Sequence, residues 1–171
     1  MKPLSLYSGG SFTYPECLSD PSTYNVIDIA HALSRLNRYA GHSPGLPLSV
    51  AEHSVMVANE FKCLAPIRLS DGENLADGEM AALLHDASEA YLIDLPSPLK
   101  KIIPEYQVIE DRVQKSIFAS YKLKLSQPVL DLIREIDIAV RSTELTKPHL
   151  TADEAKIAFL ERYIALKGIT R

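Results

Sequence analysis

Leu83-Leu84-His85-Asp86-Ala87-Ser88-Glu89 places a histidine and two acids directly behind an apolar run, and Asp94-Leu95-Pro96-Ser97-Pro98-Leu99-Lys100 follows after a short gap. Apolar residues at Met80, Leu83 and Leu84 predict a helix opened by Asp77 as N-cap and stopped before Pro96 and Pro98. His, Asp and Glu buried without partners on such a helix would each lose their hydration, so a metal ion or hydrogen bonds must compensate them. Four residues apart, His85 and Glu89 are expected to share one helix face, with the short Asp86 carboxylate swinging toward the same point.

The same helical period continues on both sides of that segment. Upstream, Ile29, Leu33 and Leu36 make one apolar stripe from Val26 onward, while His31, Arg35 and Arg38 repeat the spacing on another face. Gly41-His42-Ser43-Pro44-Gly45 breaks this helix, and Ser49-Val50-Ala51-Glu52 reads as a capping box opening the next, which runs to Lys62 and buries Val50, Val57 and Phe61. Downstream, Ile109, Val113 and Ile117 predict a helix from Pro104 to Tyr121. Pro128 then sits at a first helical position ahead of a broad stripe, Val129, Leu132, Ile133, Ile136, Val140 and Thr143. A second capping box, Thr151-Ala152-Asp153-Glu154, opens a last helix with Ala155, Phe159, Tyr163 and Leu166 on one face and Gly168 at its end.

No alternation of period two flanked by hairpin turns is found, so the expected fold is an all-α bundle of about five to seven helices, preceded by an irregular arm over residues 1–24. A chain of 171 residues that is 46% hydrophobic fits one domain with a continuous core. The net charge of −4, without a run of like charges, offers no stripe for a nucleic-acid backbone or an anionic membrane. Cys17 and Cys63 are too few for a disulfide framework and read as reduced thiols. With no signal-like segment at Met1-Lys2-Pro3-Leu4-Ser5 and no long apolar window, the expected location is the cytoplasm, or the host cytoplasm for a phage-encoded chain.

Two further positions give the His-Asp pair company. His53 stands in the first turn of the preceding helix, and Asp137 lies beside the apolar stripe of the fifth. Each has a plainer reading alone: His53 as a polar residue at a helix start, Asp137 as an acid paired with Arg141 four residues on, Arg38 as part of a solvated charged face. Together, two imidazoles and two carboxylates from three helices form a mixed nitrogen and oxygen set suited to one divalent cation: Co, Mn, Zn, Fe, Ni or Mg.

A lone His, an adjacent His-Asp and a distal Asp, all on helices, resemble the signature of the HD-domain phosphohydrolases. The match is closest to the small nucleotide-directed branch, the YfbR-like 5′-deoxynucleotidases and the phage DatZ-type triphosphohydrolases acting on dATP. In that branch the pattern is His-Asp-x-x-Glu, a gap, then Asp-x-Pro-x-Pro-x-Lys, and every position is filled here by His85 to Glu89 and Asp94 to Lys100. An Arg followed by an aromatic residue stands fifteen positions before the lone His, as Arg38-Tyr39 stands before His53. The resemblance covers about residues 25 to 145.

It implies a single HD-type domain in which His53, His85, Asp86 and Asp137 hold the metal and Glu89 and Asp94 orient or deprotonate the attacking water. Arg38 would grip phosphate through its planar fork, Lys100 would add a second positive charge, and Tyr39 would stack on the base where the family often has tryptophan. Pro96 joins them as a substrate contact and, with Pro98, stiffens the loop carrying Asp94. His31, on the Arg35 and Arg38 face, is read either as reaching substrate or as capping or hydrogen-bonding locally, His42 as a residue of a loop that rims the pocket, and His149 as structural. The expected function is hydrolysis of a (deoxy)nucleotide, with a slight tilt, by resemblance in the short connection from the His-Asp segment to Asp137 and in the compact length, toward a DatZ-type deoxynucleoside triphosphohydrolase acting on dATP. The alternative is a 5′-deoxynucleotidase on monophosphates; a non-catalytic nucleotide sensor stands further off, since it would need neither Glu89 nor Asp94. A di-iron oxygenase would require additional histidines around the pair, where this chain has only His31, His42 and His149 to spare, and the Gly-Tyr-Pro extension of the cyclic dinucleotide hydrolases is absent here. Broad apolar helix faces, and relatives that pair or form rings, suggest a homo-oligomer, dimer or hexamer.

Overall fold

The structure, a computed structural model, describes residues 3–13, 24–146 and 149–168. Cys17 and part of the N-terminal arm lie outside the described residues, while Cys63 is an exposed free thiol. Among the described residues there are eight α-helices: α1 (Val26–Leu33), α2 (Val50–Arg68), α3 (Leu75–Leu83), α4 (Glu89–Leu92), α5 (Ser97–Lys100), α6 (Pro104–Ser120), α7 (Gln127–Arg141) and α8 (Ala152–Leu166). Since α4 and α5 are single turns, six longer helices build the bundle, and the all-α expectation holds. Within the arm, β1 (Leu4–Ser5) and β2 (Ser11–Phe12) form a minute antiparallel hairpin with Leu4 opposite Phe12. The sequence reading missed it because two-residue strands carry no periodic signal. Phe12 holds it down, fully buried against the rings of Tyr24 and Tyr91, and Ser8 donates from its N–H and hydroxyl to Asp28 at 2.6 and 2.7 Å.

Helix α2 is the axis of the bundle and packs most extensively on α3, α7 and α8. Its buried face carries Val50, Val57 and Phe61 as expected, and α7 buries Val129, Leu132, Ile133, Ile136 and Val140. Gly78 in α3 permits a close helix approach: a Cβ there would lie 2.6 Å from Cζ of Phe61. The helix starts follow side-chain caps. Ser49 accepts from the Glu52 N–H, and Thr151 with Glu154 forms the complete reciprocal box at the start of α8.

Several expected boundaries are corrected. Helix α2 runs past Lys62 to Arg68, with Pro66 inside it; both residues are exposed, so the Lys62 carbonyl that Pro66 cannot serve faces water. The capping box at Ser49 is only half formed, because the Glu52 carboxylate instead accepts from the Leu150 N–H at 2.9 Å and faces His149. Asn74, not Asp77, caps α3; Asp77 accepts from the Lys124 N–H.

Two corrections bear directly on the site. Helix α1 ends at Leu33, so Arg38 does not share a helix face with His31 and Arg35. The chain instead becomes extended, Asn37 pairs with Ser49, and Arg38 opens a 3-10 turn, Arg38–Gly41, in which Tyr39 and Ala40 adopt positive φ (57° and 50°). That left-handed backbone costs roughly 1–2 kcal/mol per L-residue. The His-Asp pair, likewise, does not lie in mid-helix: α3 stops at Leu83, and residues 84–88 form a run of turns before α4. Gln114 of α6 braces this run at both ends, donating to the Leu84 carbonyl at 2.7 Å and accepting from the Ser88 N–H at 3.0 Å. One side-chain amide thus satisfies backbone groups that a helix would have paired.

Candidate functional site

His53 comes from the first turn of α2 and is fully buried; His85 and Asp86 come from the turn after α3, and Asp137 from the third turn of α7. The structure brings these four together. Nε2 of His53 lies 3.0 Å from Oδ1 of Asp137 and 3.8 Å from Oδ2 of Asp86; Nε2 of His85 lies 3.2 Å from Oδ2 of Asp86 and 4.0 Å from Oδ1 of Asp137. His53, His85 and Asp86 each offer a ligand atom, all within 4.8 Å of one another.

The other ring nitrogens decide what these atoms can do. Nδ1 of His53 is 2.6 Å from Oε2 of Glu144, and Nδ1 of His85 is 2.8 Å from the Ala82 carbonyl. Both partners are acceptors, so in the neutral rings each Nδ1 carries the proton and each Nε2 presents a lone pair. Both Nε2 atoms are buried without a hydrogen-bond partner. Lone-pair nitrogens facing carboxylate oxygens at such distances repel one another unless a positive charge stands among them, and this donor set suits a divalent cation.

The electrostatics keep both carboxylates ionised, the state in which a carboxylate can hold a cation. Burial alone would raise the pKa of Asp86, but His85, His53 and Arg38 outweigh it and hold the carboxyl well below its usual range. Asp137 is brought to about 2, burial being overcome by the rings of His53 and His85 and by Arg141, which grips it in a two-pronged pair with Nε at 3.0 Å. For His85, burial disfavours the charged form, yet Asp86 and Asp137 raise the pKa overall.

Beside this cluster lies a cavity of about 200 Å³ lined by Arg38, Tyr39, Asp86, Glu89, Asp94 and the 95–98 and Lys100 segment, together with Arg141. Every substrate and acid residue expected from the sequence, Pro96 included, is on its wall, and the expected metal residues adjoin it through Asp86. The strand-like stretch before Arg38 delivers the guanidinium; Ile93, at φ 114°, turns the chain out of α4 and presents Asp94. His31 and His42 are not on this wall: His31 stacks on Tyr7 with ring centroids 3.7 Å apart, and His42 is exposed.

The roles within the cavity differ in detail from expectation. Lys100 is not a free cation: its Nζ lies 3.1 Å from Glu89 and 2.7 Å from Glu110. Glu89 is 4% exposed, with Oε1 on Lys100 and Oε2 buried and partnerless. Burial, with Asp86 and Asp94 nearby, raises its pKa well above the usual carboxylate range, although Lys100 opposes this. Asp94 is raised by burial, against the pull of Arg38 and Lys100. The carbonyl of Ile93 accepts from the Tyr106 hydroxyl at 2.5 Å, which pins the loop ahead of Asp94.

Three residues absent from the sequence reading shape the site: Gln114, Glu110 and Glu144. Glu144 is fully buried in a 3-10 turn (Glu144–Thr146) after α7. It accepts from His53, from Arg38 Nε at 3.1 Å and from the Tyr39 hydroxyl. These contacts overcome burial and hold its carboxyl at about 2. None of the three had a detectable signal, since each is a single polar residue more than twenty positions from its turn or histidine, or an acid on an ordinary helix surface.

Comparison with known proteins adds an independent finding. Residues 25–155 match the family model described as 5′-deoxynucleotidase YfbR-like. YfdR of Escherichia coli K12, described as an uncharacterized protein, is 32% identical over 142 residues, spanning 82% of this chain and 69% of YfdR. The 5′-deoxynucleotidase yfbR of Photorhabdus temperata is 37% identical over 93 residues, 48% of this chain and 47% of that protein. The 5′-deoxynucleotidase YfbR of Shigella boydii serotype 18 is 36% identical over 92 residues, 50% of this chain and 46% of the relative. The chain thus spans about half the length of the named deoxynucleotidases it matches. No helix among the described residues is long and apolar enough to cross a membrane.

Proposed function

The chain belongs to the YfbR-like family of HD-domain nucleotide phosphohydrolases, and on that premise we propose that it is a metal-dependent 5′-deoxynucleotidase, cleaving a deoxynucleoside monophosphate to nucleoside and phosphate. The observation that carries this is the pair of buried, partnerless Nε2 atoms of His53 and His85, facing Asp86 and Asp137 at the mouth of a cavity lined by Arg38, Lys100 and Arg141. The names of the deoxynucleotidase relatives favour the monophosphate over the triphosphate toward which the short connection to Asp137 and the compact length tilted the sequence reading.

In this proposal His53, His85, Asp86 and Asp137 hold one divalent cation, which when bound polarises a phosphate oxygen and makes water at the site more acidic. Arg38, whose fork already faces Asp86 at 3.5 Å, binds the phosphate, and Arg141 adds charge at the same wall. Tyr39 lies against the substrate, its ring fixed by the bond to Glu144. Water attacks phosphorus in line, the bond from phosphorus to the 5′ oxygen breaks, and the electron pair leaves with that oxygen. Glu89 is suited to the proton: Lys100 fixes one carboxylate oxygen while the other is free to take a proton from the water and return it to the departing 5′ oxygen. Asp94, across the cavity, orients the water.

Exposed apolar residues in the connection between α5 and α6 and on α6, Ile102, Ile103, Val108 and Ile109 among them, support a homo-oligomer as part of the proposal, and light scattering on the purified chain would read its mass.

A panel of dNMPs, dNTPs and NTPs with Co²⁺, Mn²⁺, Mg²⁺ and Zn²⁺, products separated by chromatography, tests the function. Orthophosphate and nucleoside from dNMPs are expected. Triphosphate released whole from dNTPs would favour the triphosphohydrolase; nucleotide binding without any release would leave a sensor. Glu89→Ala should keep bound cation while losing turnover, and equal loss of both would move Glu89 among the ligands.

A further inference from the structure

His53 and Arg38 serve different ends of the site, yet one side chain holds both. Glu144 uses Oε2 for Nδ1 of His53 at 2.6 Å and Oε1 for Nε of Arg38 at 3.1 Å and for the Tyr39 hydroxyl. It is 0% exposed, so no water competes for these bonds. Its position 91 residues after His53 and 106 after Arg38 means that the turn closing α7 decides where both groups point.

We propose that Glu144 is a positioning residue that couples cation retention at His53 to anion binding at Arg38 and Tyr39, so that loosening it weakens both although it touches neither ligand. The inference rests on the functional reading above. Its basis is an acceptor count. Three donors, Nδ1–H of His53, Nε–H of Arg38 and the Tyr39 O–H, converge on two carboxylate oxygens. A Gln at 144 supplies one oxygen and an NH₂ group, itself a donor. Whichever way the amide turns, its NH₂ faces either His53 or the Arg38 and Tyr39 pair, and that side loses its acceptor. Arg38 keeps Asp86 at 3.5 Å as its other partner, so without Glu144 it swings toward a cation ligand, and disturbance at one end reaches the other.

Binding measurements separate this from the catalytic reading. Wild-type and Glu144→Gln protein, stripped of metal, would be titrated with Co²⁺ by calorimetry, then with inorganic phosphate at saturating Co²⁺. The expected result is Co²⁺ affinity lowered roughly 10- to 100-fold, the range for removing a partner of a metal-bound histidine, with phosphate affinity lowered about fivefold or more. Loss of Co²⁺ affinity with phosphate binding unchanged would reduce Glu144 to a partner of His53 alone and overturn the coupling; so would two unchanged affinities in a folded variant. A variant that does not fold leaves the wild type to decide, by ¹⁵N imidazole NMR: His53 protonated on Nδ1 is expected, and protonation on Nε2 would overturn the proposal. A wild type that binds no Co²⁺ sinks the metal reading itself, whereas tight binding without nucleotide turnover sinks only the enzymatic one.

Discussion

At the histidine end of the site, the Nε2 atoms of His53 and His85 are buried and without partners, whereas in the adjoining cavity Lys100 sits between Glu89 and Glu110, Arg38 rests on Glu144 and Asp86, and Arg141 grips Asp137. The two ends therefore respond to a ligand differently. A cation at the histidines satisfies groups that have no other partner. An anion in the cavity must share or displace carboxylates already in place, so its binding depends on how those carboxylates are held. Asp86 belongs to both ends, facing His85 at 3.2 Å and Arg38 at 3.5 Å.

Asp86→Ala should break the comparison most severely, because it removes a proposed charged ligand together with one of the two carboxylates that hold Arg38. Metal analysis after dialysis and phosphate release from dNMPs should both collapse, by more than the roughly 100-fold that loss of an outer partner can cause. Retained metal with retained rate would show that the two ends do not meet at this residue. Lys100→Met probes the cavity end alone. It leaves Glu89 and Glu110 without their shared cation, a contact worth about 1.5–3 kcal/mol, so turnover should fall roughly 10- to 100-fold while bound metal stays at the wild-type level.

Gly78→Ala asks whether the scaffold can be strained without reaching either end. The added methyl meets Phe61 at 2.6 Å in the α2 and α3 interface, and overpacking of this kind costs ~1–3 kcal/mol. The unfolding free energy from denaturant titration should drop by that amount, with Co²⁺ affinity preserved below the midpoint. The smallest effect is expected from Thr151→Ala, which removes an exposed cap from α8. A loss of ~1 kcal/mol in stability, read from the melting temperature, should leave metal content and turnover unchanged.

What the sequence disclosed and what it hid follow physical lines. The apolar stripes of α2 and α7 were legible because helical periodicity records which face is buried, and His53, His85, Asp86 and Arg38 were legible because their types and spacing make a pattern. The backbone around them was not. Period and spacing put His85 and Glu89 on one helix face, but Gln114 makes a run of turns there affordable by bonding Leu84 and Ser88 from another helix. Arg38 was read as helical because its spacing from His31 and Arg35 continues the period, while the pairing of Asn37 with Ser49 overrides it. Glu144 was hidden for a related reason: a buried acid held by long-range donors looks, in one dimension, like any acid after a helix.

The contact between Glu52 and the residues just before α8 ties that helix to the start of α2, where His53 stands. Glu52 precedes His53 in the chain, and its carboxylate takes the Leu150 N–H at 2.9 Å. Trimming the protein ahead of position 149, in search of a minimal catalytic fragment, would therefore strip a buried carboxylate of its donor right beside the histidine proposed to hold the cation, and the shortened product should bind Co²⁺ more weakly before it loses its helices.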